Sequence, residues 1–143
     1  MAADTGMPNN TADALGRIVR DFGADTATLH LVGDDGLLHL KEVCGQFPPP
    51  VLDVIRTIPV GKGMAGLAVE RGQPVDACNI QTDASGDVRP GAKATGMEGA
   101  IVVPVFDGQR VVGALGIANR GERTFSEQEK GALIAAGRAL VSR

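Results

Sequence analysis

Side chains able to do chemistry are few in this chain: two cysteines, Cys44 and Cys78, two histidines, His30 and His39, and a Gly61-Lys62-Gly63 turn. With no CxxC pair and no histidine at metal-finger spacing, the cysteines predict neither a disulfide framework nor a zinc module. They are expected as reduced thiols, Cys78 as a small buried hydrophobe. If residues 33–36 form a four-residue hairpin loop, His30 lies opposite His39, close enough to share a metal or a haem. Two ligands do not make a site, and no third donor is fixed beside them, so a packed or surface imidazole pair is the simpler reading and no metal is assigned. Gly61-Lys62-Gly63 ahead of a helix offers free N–H groups and a cation to an anion. It lacks the full phosphate-loop pattern, which favours a structural turn.

The elements that must hold these residues are legible from periodicity. Leu15, Ile18, Val19 and Phe22 recur at helical spacing, with Asn10 or Thr11 as caps and Gly23 as a stop. Thr26 to Val32 and Leu37 to Val43 read as a hairpin around Gly33-Asp34-Asp35-Gly36, with Leu29 facing Leu40 and Leu31 facing Leu38. Phe47-Pro48-Pro49-Pro50 interrupts the sheet. Val51, Val54, Ile55 and Ile58 then form a helical stripe that Pro59 ends. A short helix follows the Gly-Lys-Gly turn and closes at Gly72, and Pro74 to Ala77 is a strand.

Residues 79–99 show little periodicity, and a loop this long inside a compact domain is functional or disordered. Ala100 to Phe106 and Gln109 to Asn119, joined by Asp107-Gly108, form a hairpin. Within it Pro104 calls for an edge or a bulge. Ser126 and Glu129 have the spacing of a capping box, and Leu133, Ile134, Leu140 and Val141 carry a last apolar stripe.

Composition narrows the class. A length of 143 residues suits one domain, and 43% hydrophobic with 22% charged residues is ordinary for a globular protein. The 14 basic and 17 acidic residues are scattered, so nucleic acid and membrane surfaces are not expected partners. No run crosses a bilayer and no secretory signal opens the chain, which predicts a cytoplasmic protein. Trp and Tyr are absent and Phe numbers four, so any pocket is lined by aliphatic and Met side chains.

The run Ile58-Pro-Val-Gly-Lys-Gly-Met-Ala-Gly-Leu-Ala-Val-Glu-Arg-Gly-Gln-Pro-Val75, then Ile101-Val-Val-Pro-Val-Phe106, Val111-Val-Gly-Ala-Leu-Gly-Ile117 and Thr124-Phe-Ser-Glu-Gln-Glu129 resemble successive signatures of GAF domains, in order and from Thr11 onward. The resemblance implies an α+β fold related to PAS domains: a central antiparallel sheet of about five to six strands, terminal helices on one face, connecting helices and the long loop on the other. Residues 10–143 would be a single domain and residues 1–9 a disordered tail. The family commonly dimerises through its terminal helices. Leu15, Ile18, Phe22, Ala132, Ala135, Ala136 and Ala139 are the candidate dimer residues, the alanines permitting close approach.

In function the resemblance implies a small-molecule-sensing or regulatory module. Its candidate cavity residues are Lys62, Met64, Leu67, Cys78, Asn79, Asp83, Thr95, Met97 and Glu98; its cofactor is unknown and its ligand unidentified. The chain ends soon after its last helix, so output is expected through a separate signalling protein or through segments outside this sequence. The alternative is a ligand-free interaction module whose cavity is filled by Met64, Leu67 and Met97. The family's free methionine-R-sulfoxide reductases are disfavoured: Ala65 stands where a catalytic cysteine is expected and neither cysteine falls at that branch's positions. The chain is therefore expected not to be an enzyme. Bilin attachment fits Cys78 poorly, and the cyclic-nucleotide motif Asn-Lys-Phe-Asp is missing.

Overall fold

The computed structural model describes residues 8–88 and 93–142. Six antiparallel strands form one sheet: β1 (Thr26–Val32), β2 (Leu37–Cys44), β3 (Thr57–Pro59), β4 (Val75–Ala77), β5 (Gly99–Asp107) and β6 (Arg110–Asn119), in the spatial order β3-β2-β1-β6-β5-β4. The helices among the described residues include α1 (Pro8–Phe22), α2 (Pro49–Ile55), α3 (Gly63–Arg71) and α4 (Glu127–Val141). This is the α+β architecture expected. The proposed tail through residue 9 lies largely outside the described residues, and α1 already includes Pro8. Thr11 is thus inside the helix rather than its cap.

Strand alternation separates two apolar layers. Ala27 and Leu29 of β1, Ile101, Val103 and Val105 of β5, and Leu115 of β6 point to one face, where Leu15 and Ile18 of α1 and Leu133 of α4 cover them. Met64 and Ala68 of α3 pack with Val75, Ala77, Ile80, Met97 and Ala100 on the opposite side. The first layer holds most of the large, fully buried side chains. The second is built of smaller groups.

Two local expectations are corrected. Gly33 N donates to the Leu37 carbonyl, so the β1–β2 loop holds three residues and ends in Gly36 at φ +78°. His30 therefore pairs with Leu40 and Leu31 with His39, and a bulge follows at Leu29/His30. Because a one-residue slip exchanges the faces of a strand, His30 and His39 stand on opposite sides of the sheet, and the proposed metal or haem pair does not exist. No cluster of three potential metal ligands occurs among the described residues.

The stripe ending at Ile58 is also shorter than expected. The helix stops at Ile55, and Thr57–Pro59 pairs with Leu37–His39 as an edge strand. A residue before proline avoids the helical region, which frees Ile58 to extend. Pro104 is tolerated in β5 because β4 pairs only with Ala100 to Val102, leaving no neighbour to receive the missing N–H. Among the described residues no helix is long and apolar enough to cross a membrane.

Candidate functional site

A cavity of about 150 Å³ lies between the sheet and the connecting segments. Its floor is the sheet face opposite the terminal helices: Thr26, Thr28 and His30 from β1, Gly116 and Ala118 from β6, Ala100 and Val102 from β5. Small residues there create the space. A Cβ at Gly116 would stand 3.1 Å from Thr28 Oγ1 and 3.3 Å from Val102, inside the free volume. Val54 and Ile55 of α2, Ile58 of β3, the stretch from Lys62 to Ala65, and Ile80, Thr95 and Met97 form the roof. Phe47, Thr95 and Met97 also border an outer groove that reaches Gln46, Leu52 and Arg120, which marks the side toward solvent.

The roof is held close by the Gly-Lys-Gly turn. Gly61 N donates to the Gly66 carbonyl and Gly66 N to the Lys62 carbonyl, while a Cβ on Gly66 would collide with the Pro59 carbonyl. The turn is structural in this sense. Lys62 caps α3 without a side-chain hydrogen bond and stands exposed at the rim.

His30 is the polar group most deeply set in the lining, 3% exposed. Its Nε2 lies 2.8 Å from the Ile55 carbonyl oxygen. A carbonyl only accepts, so Nε2 carries the proton and donates. Burial holds the His30 pKa below the ordinary histidine value, the bond to Ile55 opposing it. The ring is accordingly neutral near pH 7 and Nδ1 is a bare acceptor. Leaving such a buried acceptor unsatisfied costs about 1–3 kcal/mol.

Of the residues singled out from sequence, Lys62, Met64, Thr95 and Met97 line this cavity. The other five lie elsewhere. Leu67 packs against the second apolar layer. Cys78 is exposed rather than buried, with Thr124 Oγ1 at 3.9 Å from its sulfur, because the alternation of β4 continues one residue past Ala77 and turns it outward. Asn79 donates to Glu122 and accepts from Gln81 N, Asp83 accepts from Ser85, and Glu98 is tied through its backbone to Ile80 and Asn119. Thr26 and Thr28 were missed, and His30 was singled out only as half of a metal or haem pair. Their i, i+2, i+4 spacing along β1 was the available signal, and it puts three polar side chains on one face of a strand.

The candidate dimer residues divide in the same way. Leu15 and Ile18 are buried within the chain, and Phe22 and Ala136 pack against that layer. Their expected role at a surface between copies is corrected accordingly. Ala132, Ala135 and Ala139 are exposed on the outer side of α4.

The family model for the GAF domain matches residues 8–139. No curated protein sequence matches the chain. Among solved structures the chain is similar to free methionine-R-sulfoxide reductase from Neisseria meningitidis in complex with its substrate, at TM-score 0.77 and 24% identity, over 97% of this chain and 78% of the other. It is similar to the GAF domain of a phosphoenolpyruvate-protein phosphotransferase from Acinetobacter, at TM-score 0.78 and 18% identity, over 96% and 81%. A domain assigned to a two-component sensor histidine kinase from Sinorhizobium meliloti 1021 aligns at TM-score 0.76 and 14% identity, over 96% and 89%. These likenesses establish the fold. They also overturn the expectation that the chain is not an enzyme, since a reductase is built on this same architecture.

Proposed function

This chain belongs to the GAF domain family, and on that footing we propose that it is a sensory or regulatory module whose small-molecule ligand occupies the cavity between sheet and connecting helices. The observation that carries the reading is the void itself, apolar over most of its lining with Thr26, Thr28 and His30 directed at it. A ligand site combines those features: an apolar enclosure with a few placed polar groups. An interaction module would fill the space, yet Met64 and Met97 form walls around a void. At about 150 Å³ the cavity is smaller than the roughly 300–1,000 Å³ typical of drug-sized ligands, so the occupant is a compact molecule.

The response would pass through the sheet. Gly116 lines the cavity and its neighbour Leu115 is buried under the terminal helices on the other face, so an occupant that displaces β6 also displaces the surface on which α4 rests. A ligand biases such an element only by binding one arrangement more tightly than the other. Dimerisation through the terminal helices and action on a separate signalling protein complete this reading, with the cytoplasm as its setting.

Native mass spectrometry of freshly purified protein tests it. A discrete added mass lost on denaturation is expected. Protein that carries no added mass and gains none from a metabolite extract would count against a receptor. A second reading rests on the likeness to the Neisseria meningitidis reductase. It requires turnover of free methionine-R-sulfoxide through Cys44 or Cys78, and turnover that survives replacement of both by Ser would exclude these thiols as its nucleophiles.

A further inference from the structure

We propose that His30 determines the specificity of the cavity, its Nδ1 accepting a hydrogen bond from an N–H or O–H group of a ring-sized, otherwise apolar ligand. This rests on the receptor reading above and names the chemistry that receptor selects. Three observations carry it. The Ile55 carbonyl fixes the proton on Nε2, so Nδ1 offers a lone pair. No described residue satisfies that nitrogen, and the ring that carries it lines the cavity with 3% of the residue exposed. The remaining floor and roof are mainly aliphatic, and the other polar side chains on the lining are Thr26, Thr28, Thr95 and, at the rim, Lys62.

Size sets the class. Apolar protein cavities of about 150 Å³ take up benzene, and this one has the same volume. Phenol and toluene are therefore suitable probes, nearly identical in shape and differing by a hydroxyl in place of a methyl. An apolar cavity without an acceptor favours toluene, since a buried hydroxyl lacking a partner is penalised and the methyl gains from burial. An acceptor at the ring's edge reverses that order. Of the charged side chains, Lys62 is on the lining; Asp53 and Arg56 on the adjacent α2 segment pair with each other at 3.0 Å on the surface, and among the described residues no carboxylate lines the cavity.

The experiment is titration calorimetry of the wild-type chain and His30→Leu with each probe. The wild-type protein is expected to bind phenol more tightly than toluene, and in His30→Leu the ratio of the two dissociation constants should shift by about tenfold toward toluene. Phenol preference retained in His30→Leu would transfer the acceptor to a lining threonine and overturn the assignment. Toluene preference in the wild type would also overturn it while leaving a receptor cavity standing. Binding of neither probe at millimolar concentration would overturn both this inference and the receptor reading.

A wild-type measurement keeps the test independent of whether the variant folds. Protonated imidazole has no acceptor, so phenol affinity should fall as pH is lowered through the folded-state pKa of His30, which burial holds below the ordinary histidine value, while toluene affinity does not. Parallel behaviour of the two probes would refute His30 as the acceptor.

Discussion

At the scale of single residues, His30 joins stability to acidity. Its folded pKa is lowered by burial, whereas the unfolded chain takes up the proton near 6.5. Between the two values the unfolded state binds more protons, so acidification favours unfolding and the contribution present at neutral pH is lost as pH falls through the folded pKa. Asp35 and Glu129 are also lowered, by the His39 hydrogen bond and by the Ser126 backbone N–H with Arg123 respectively. Their stabilisation is lost only as pH falls below their ordinary values of 3.8 and 4.5. The windows open at different pH, so the melting temperature of the wild type should begin to decline below about pH 6.5, and His30→Leu should lack that first decline while keeping the acid one. A first decline that persists in the variant would assign it to another group. That His39 lies on the opposite face from His30 was not legible because it depends on register. Counting Gly33 in the loop rather than in the ladder moves every side chain of β2 to the other face, and periodicity alone does not fix that count.

At the scale of elements, α4 is the one whose start was written most openly in the sequence. Ser126 Oγ accepts from Glu129 N at 3.1 Å, and Ser126 N donates to Glu129 Oε1 at 2.9 Å, the reciprocal pair its spacing predicts. Ser126→Ala should cost about 1 kcal/mol in urea denaturation, without changing the slope. Arg123, three residues earlier, was silent in the sequence yet ties more together. It reaches Glu129 at 2.9 Å and Asn119 Oδ1 at 2.8 Å, and its guanidinium lies 4.6 Å from the Phe125 ring centroid, with only 19% of its side chain exposed. Several geometric demands meet on one planar group, so Arg123→Lys should not restore what Arg123→Ala loses, roughly 1.5–3 kcal/mol by the same measurement. A lysine variant as stable as wild type would show that charge alone suffices. The difference in legibility is physical. A capping box has one fixed local spacing, whereas Arg123 sits in an irregular turn and also donates to the Gly23 carbonyl at 3.4 Å, a partner that adjoins it only after the chain has folded. β3 was hidden for the same reason, since its three residues become a strand by pairing with β2.

At the scale of the whole molecule, the two faces of the sheet have different tasks, and the helical face constrains how two copies can meet. Leu15, Ile18 and Leu133 are spent on the chain's own core, and Gly137 sits within 3.3 Å of Val105 and 3.5 Å of Leu115 by its virtual Cβ, which lets α4 lie low on β5 and β6. What α4 turns outward is Ala132, Ala135 and Ala139, a spacing of three and four residues that forms one row along the helix. If the proposed homodimer forms through the terminal helices, this row is the part of the former candidate set still available to it, and close approach of small side chains is the physical means. Ala135→Arg places a long charged group in the middle of that row without entering the core. The expected outcome is a light-scattering mass that falls from two chains to one, with an unchanged far-UV circular dichroism spectrum. A dimer indifferent to Ala135→Arg would move the interface away from α4. A wild-type monomer at all concentrations would confine the response to ligand to a surface presented to another protein, because the displacement of Leu115 beneath α4 would then have no second copy to act upon.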